Sequence, residues 1–112
     1  MKRFQVKFRA EARNDLIRLP DYISDRSGDA IASAYVDRIE AICAGLANSP
    51  HRGTLLPIIE GGIRRIGFER RAAIYFRVVG PTVEIVRILY GGRDQDRAFG
   101  AASNADDFDP KE

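Results

Sequence analysis

The chain has 112 residues, 45% of them hydrophobic and 30% charged, with a formal net charge of +2. That suits a single domain with a core of its own and leaves no room for a second one. A lone cysteine and a single histidine exclude an internal disulfide and offer no ligand spacing for a metal, and no cofactor is implied. No apolar run approaches the ~20 residues of a membrane helix. The basic start "MKRFQVKFRAEARNDL" alternates and then turns helical, unlike the continuous apolar stretch of a secretory signal, so a cytoplasmic protein is expected.

Residues 4 to 8, "FQVKF", alternate with period two and place Phe4, Val6 and Phe8 on one face of a short strand. A helix follows, in which Ala12, Leu16, Leu19 and Ile23 recur at helical spacing. Pro20 lacks an N–H and crowds the preceding turn, so a kink or break is expected there. "DRSGDA" reads as a turn with Ser27 and Asp29 as cap candidates. The second helix carries the clearest stripe of the chain, Ile31, Tyr35, Ile39, Ile42 and Leu46, widened by Ala32, Val36 and Cys43. Cys43 therefore reads as core packing. "NSP" closes this helix, because the residue before a proline is pushed away from helical angles, and His51 follows in the turn.

From residue 62 the period changes to two. "GIRRIGF", "AAIYFRVV" and "TVEIVRILY" read as three strands, the last two joined by a tight turn at Gly80-Pro81. A two-residue turn places residue 78 opposite 83, 77 opposite 84 and 75 opposite 86. One face then gathers Ile74, Phe76, Val78, Val83, Ile85 and Leu89 as the core side. The other gathers Tyr75, Arg77, Glu84, Val86, Ile88 and Tyr90. Arg77 and Glu84 form an opposite-charge cross-strand pair that supports the register. Arg87 falls on the core face near its rim. It reads either as a structural arginine tied to a helix or tail carboxylate, or as part of a functional surface. The expected architecture is α+β in two layers, β-α-α-β-β-β, with a mostly antiparallel sheet and a helical hairpin over one face.

The acidic residues are unevenly spread. Residues 100–112, "GAASNADDFDPKE", sum to −3, which leaves +5 on residues 1–99 out of a total of +2. The division is therefore a folded domain over 1–99 and an acidic tail over 100–112 that reads as disordered or partner-dependent. The glycines of "GGIRRIG" and "YGGRD" match no phosphate-wrapping loop, and His51 has no reason to meet a particular serine, so neither nucleotide binding nor a Ser/His/Asp triad is supported.

The element order, together with "DLIRLPDYI", "YVDRIEAICAGLANSPHRGTLLP", "GGIRR", "RAAIYFRV" and "VEIVRILYGGRD", resembles the ParE and RelE superfamily of bacterial toxins over about residues 3 to 97. The "SPHRG" turn and the "RILYGGRD" ending resemble the ParE branch. The two branches imply different chemistry. RelE-type toxins are ribosome-dependent ribonucleases that hold the scissile phosphate with basic side chains and move protons with a further group. ParE-type toxins act on DNA gyrase without catalysing a reaction. Aligned with the RelE pattern, Arg64 and Arg93 match basic positions, whereas Ile66, Ala73 and Phe99 stand where a second basic residue, a strand arginine and a catalytic tyrosine would be. Arg71 or Arg65 could replace the arginine if that alignment shifts, and Tyr90 could serve in proton transfer.

The resemblance thus implies a gyrase-binding toxin with no catalytic residues, no metal and no cofactor, neutralised by a ParD-like antitoxin in a hetero-oligomer. Arg64, Arg65, Arg87 and Arg93 are the target-binding candidates. An mRNA-cleaving RelE-type toxin and a non-toxic ParE-fold binding module are the alternatives, and direct nucleic-acid binding stays open.

Overall fold

The computed structural model of the protein describes residues 3–57, 59–69 and 71–91, with backbone alone at 25 and 26. The elements run β1 (Gln5–Phe8), α1 (Ala10–Ser27), α2 (Asp29–Gly45), β2 (Thr54–Leu55), β3 (Arg64–Phe68), β4 (Ala72–Val79) and β5 (Thr82–Tyr90). They form one sheet in the order β1-β5-β4-β3-β2. β1 runs parallel to β5 and the remaining pairings are antiparallel. This is the α+β architecture expected from the pattern, with β2 as an added two-residue edge strand.

The helical hairpin packs on one face of the sheet. Ala12, Leu19 and Ile23 of α1 and Ala32, Tyr35, Ile39 and Cys43 of α2 meet Ala72, Ile74, Phe76, Val83, Ile85 and Ile88 in a single buried cluster. The opposite face is not bare. Ile63, Ala73, Tyr75 and Val86 form a second buried cluster, over which Leu56, Ile59 and Leu89 pack. Tyr75 and Ala73 are thereby removed from solvent altogether.

Three helix features differ from expectation. α1 runs unbroken through Pro20, because packing of Leu19 and Ile23 on either side outweighs the one hydrogen bond a proline cannot donate. Neither Ser27 nor Asp29 caps a helix. Gly28, at φ 94, ends α1 and starts α2 in a conformation that a side chain would resist, its N–H donating to the Ser24 carbonyl and its own carbonyl accepting from Ala32. Ile31 is 57% exposed, so the buried stripe of α2 is turned toward Ala32, Tyr35, Ile39 and Cys43.

The β4–β5 hairpin keeps the expected register near its turn, where Arg77 faces Glu84 and Val78 faces Val83. Beyond Phe76↔Ile85 the pairing slips, and Tyr75 faces Arg87 instead of Val86. This is a β-bulge, an extra residue on β5 that inverts which side chains point inward. Ile88 and Tyr90 consequently join the helix-side core and Leu89 the opposite face, the reverse of straight alternation.

Candidate target-binding surface

The basic residues of the sheet fall into distinct places. On β3, period two sends Arg64 and Arg65 to opposite faces, Arg64 facing Phe76 and Arg65 facing Tyr75 across the β3–β4 ladder. The Arg64 guanidinium donates from Nε to the Arg52 carbonyl at 3.1 Å and from Nη2 to the His51 carbonyl at 2.9 Å. It thus fastens the turn after α2 to the sheet. His51 in that turn is exposed and sets its ring at right angles to Phe4, 6.4 Å away. Arg65 is half-buried and lies along the strand toward Gly67, where an added Cβ would come within 3.4 Å of its Nη1.

Arg87 shares the face of Arg65, each standing across from Tyr75, one on either neighbouring strand. Its guanidinium grips Asp15 of α1 with two bonds, Nε to Oδ2 at 2.7 Å and Nη2 to Oδ1 at 3.0 Å. The Ile88 backbone N–H donates to the same Oδ2 at 2.9 Å. The reason lies in strand length. The ladder of β1 with β5 ends at Phe8↔Ile85, so among the described residues the edge of β5 beyond it has no strand partner, and the carboxylate takes that place. Arg87 is therefore the carboxylate-tied arginine of the sequence reading, with its partner on a helix.

Past this bridge the structure opens into a groove of about 600 Å³ between α1 and the end of β5. Its polar lining is Asp15, Arg18 and Tyr22 from α1, Arg71 from the β3–β4 turn, and Arg87 and Tyr90 from β5. Gly91 N donates to the Arg71 carbonyl at 2.6 Å and ends β5 beside that arginine. Arg93, the fourth candidate, lies outside the described residues, as does Phe99. Arg65 and Arg87 share a face, Arg64 lies on the other, and the groove is lined in part by Arg18 and Tyr22, which the sequence reading did not select, and by Arg71, which it weighed only as a replacement for the strand arginine. A signal for the first two was present, since Asp15, Arg18 and Tyr22 recur at steps of three and four and must share one side of a helix.

An aromatic clamp closes the same end of the molecule. The Tyr35 ring meets Phe68 and Tyr90 edge-on at centroid distances of 5.0 and 5.7 Å, and its hydroxyl donates to the Phe68 carbonyl at 3.4 Å. Burial, with Tyr90 nearby, pushes the Tyr35 phenol up to about 12. Arg38 lies over the Tyr35 and Phe68 rings at 5.5 and 5.8 Å and binds Glu69 through Nε and Nη2, both at 3.0 Å. Glu69 holds a positive φ of 49, an uncommon conformation for a residue with a side chain, within this clamp. Tyr90, weighed above as a proton-transfer group, is thus an edge of an aromatic stack. Among the described residues no group of His, Cys, Asp or Glu is arranged to hold a metal ion.

Two apolar positions bear directly on chemistry. Ile66 packs against the helix-side core and Ala73 is wholly buried in the second cluster. Neither presents a polar group to the surface.

This fold, two helices over a mixed sheet, is that of the ParE and RelE toxins. The sequence profile described as the ParE toxin of type II toxin-antitoxin system, parDE, matches residues 6–95. The chain belongs to this family and is a toxin of the type II toxin-antitoxin class. Among solved structures it is similar to a chain of the chromosomal ParDE TA system from P. aeruginosa, with 26% identity, a TM-score of 0.69, and coverage of 80% of this chain and 97% of that one. It shares the fold of a chain in the RelBE2 toxin-antitoxin complex from Mycobacterium tuberculosis, at 24% identity and a TM-score of 0.57, covering 79% and 98% of the two chains. An arginine double mutant of E. coli toxin RelE in the free state has the same fold at 10% identity and a TM-score of 0.63, covering 89% and 96%. No curated protein matches the chain by sequence.

Proposed function

We propose that this toxin acts by binding DNA gyrase and trapping it on cleaved DNA, without cutting RNA itself, and that a ParD-like antitoxin neutralises it in a hetero-oligomer. The observation that carries this reading is the apolar pair at the nuclease positions. Where a RelE-type site needs a second basic residue and a strand arginine, this chain has Ile66 against the core and Ala73 with no exposed surface. Arg64, the remaining match on the sheet, spends its guanidinium on two backbone carbonyls. A positively charged residue alone binds phosphate but moves no proton at neutral pH. The antitoxin half of the proposal draws support from the helical hairpin, where Ile17 and Ile31 are 67% and 57% exposed and offer apolar anchors to a partner that orders as it wraps.

The test pairs two assays on purified protein. Gyrase with plasmid DNA is expected to accumulate protein-linked breaks, whereas ribosomes programmed with mRNA are expected to yield no cuts. Robust cleavage within codons, lost on changing Arg64 or Arg93, would replace this reading with the nuclease one. The antitoxin is expected to co-purify with nanomolar or tighter affinity.

A further inference from the structure

We propose that Arg38 of α2 is a latch that holds the β3–β4 turn in a strained conformation and so sets one wall of the groove at the end of β5. The turn is closed by the Arg71 N–H donating to the Phe68 carbonyl at 3.2 Å, and Glu69 is the first residue inside it. Its φ of 49 lies in the left-handed region, where glycine, asparagine or aspartate is the usual occupant and a longer side chain persists only when its surroundings hold it there. Glycine would satisfy this backbone without steric cost, so what glutamate adds is its carboxylate. That carboxylate meets the Arg38 guanidinium in a two-bond fork, both contacts at 3.0 Å, across 31 positions of sequence.

Arg38 and Tyr35 stand three apart on α2 and therefore share one side of the helix. Together they grip the first two residues of the turn. Tyr35 donates its hydroxyl to the Phe68 carbonyl and sets its ring against that of Phe68, while Arg38 covers both rings and binds Glu69. Tyr35 is buried, but the fork is reached from solvent, with side chains 49% exposed at Arg38 and 46% at Glu69. An ion pair so exposed adds little to global stability. Its effect is local, because the same turn carries the Arg71 carbonyl, which accepts from Gly91 N at 2.6 Å, and Arg71, Tyr90 and Gly91 line the groove side by side. Opening the fork lets Glu69 relax its backbone, and the turn and the strand end loosen together while the core stays packed.

The experiment is amide hydrogen exchange, read by NMR on the full chain, at Arg71 and Gly91, with Ile74 and Val83 of the central strands as the reference. Arg38→Met keeps an apolar stem over the two rings and removes the fork. It is expected to speed exchange at Arg71 and Gly91 by about tenfold and to leave the reference amides unchanged. Glu69→Gly is expected to do the same, although it relieves the backbone, and the double variant to go no further than either single one. Intact protection at both amides in Arg38→Met would overturn the proposal. So would raised protection in Glu69→Gly, since the backbone alone would then set the turn. Equal acceleration at the reference amides would mark a global loss of stability and overturn it too, and additive effects in the double variant would give the two residues separate roles, with the same consequence.

Discussion

Replacing Asp15 by alanine removes three hydrogen bonds at once, two from the Arg87 guanidinium at 2.7 and 3.0 Å and one from the Ile88 N–H at 2.9 Å. The side chains are 13% exposed at Asp15 and 26% at Arg87. Breaking a fully buried ion pair costs ~3–5 kcal/mol, and orphaning a buried backbone N–H adds ~1–3 kcal/mol. Water reaching the quarter-exposed guanidinium takes up part of this, and the terms overlap, so a net loss of about 2–4 kcal/mol is expected. In a domain of this size that lowers the melting temperature by roughly 10–25 °C. Asp15→Asn keeps one acceptor and should lose about half as much. Arg87→Met leaves Asp15 in place to serve the Ile88 N–H and should cost less than Asp15→Ala. Urea unfolding followed by circular dichroism measures all three, and the double variant completes a cycle. Its coupling energy should reach about 1 kcal/mol or more. A loss below about 0.5 kcal/mol for Asp15→Ala, or strict additivity, would show that the carboxylate does not act as the missing strand partner.

Gly53 holds a φ of +78, and a Cβ added there would sit 2.4 Å from the Arg65 carbonyl oxygen and 2.9 Å from Ile66 Cγ1, so Gly53→Ala should cost about 1–3 kcal/mol and free the β2 amides to hydrogen exchange. Tyr35 has its phenol pushed up from 10.0 to about 12, so over that interval the unfolded chain has lost a proton that the folded chain keeps. Stability must then fall as pH rises, and Tyr35→Phe should flatten the decline in denaturation midpoint between about pH 10 and about pH 12. Charge reversal at Arg93 should abolish growth arrest and gyrase-linked breaks in cells while circular dichroism stays unchanged, since a single arginine can dominate recognition of an anionic surface. Full toxicity of Arg93→Glu would place recognition elsewhere.

The elements were legible because each rests on periodicity. The stripe of Leu19 and Ile23, the turn at Gly80-Pro81 and the Arg77–Glu84 pair all follow from local spacing, and the pair closes at 2.6 Å. The bulge was not legible. Val86, Arg87 and Ile88 alternate no differently from their neighbours, and the Asp15 carboxylate that holds Arg87 and the Ile88 N–H beside it is distant in sequence. Once the phase is inverted, every facing assignment beyond it inverts too, and Arg87, Ile88, Leu89 and Tyr90 were placed on the wrong sides for that single reason. The groove escaped notice for a similar cause. Its wall joins α1 to the strand end and the β3–β4 turn, and only tertiary packing brings Arg18 and Arg71 together. Arg64 and Arg65 are neighbours in sequence, yet the period of the strand sends them to opposite faces of the sheet.

The position of β1 also bears on how this protein comes into being. Among the described residues β1 hydrogen-bonds to no strand but β5, so the first described strand to be synthesised finds its partner only in the last of them. Until Val83 and Ile85 have emerged, Val6 and Phe8 have no ladder to join, and α1 lacks the strand that Asp15 secures. Contacts of such long sequence separation form late and slowly. A ribosome partway along the message therefore carries helices without a floor, and a chain released before β5 has no sheet centre on which to fold. For a toxin of this family the folded surface thus depends on completion: a fragment that stops before β5 lacks the strand that β1 and Asp15 both need.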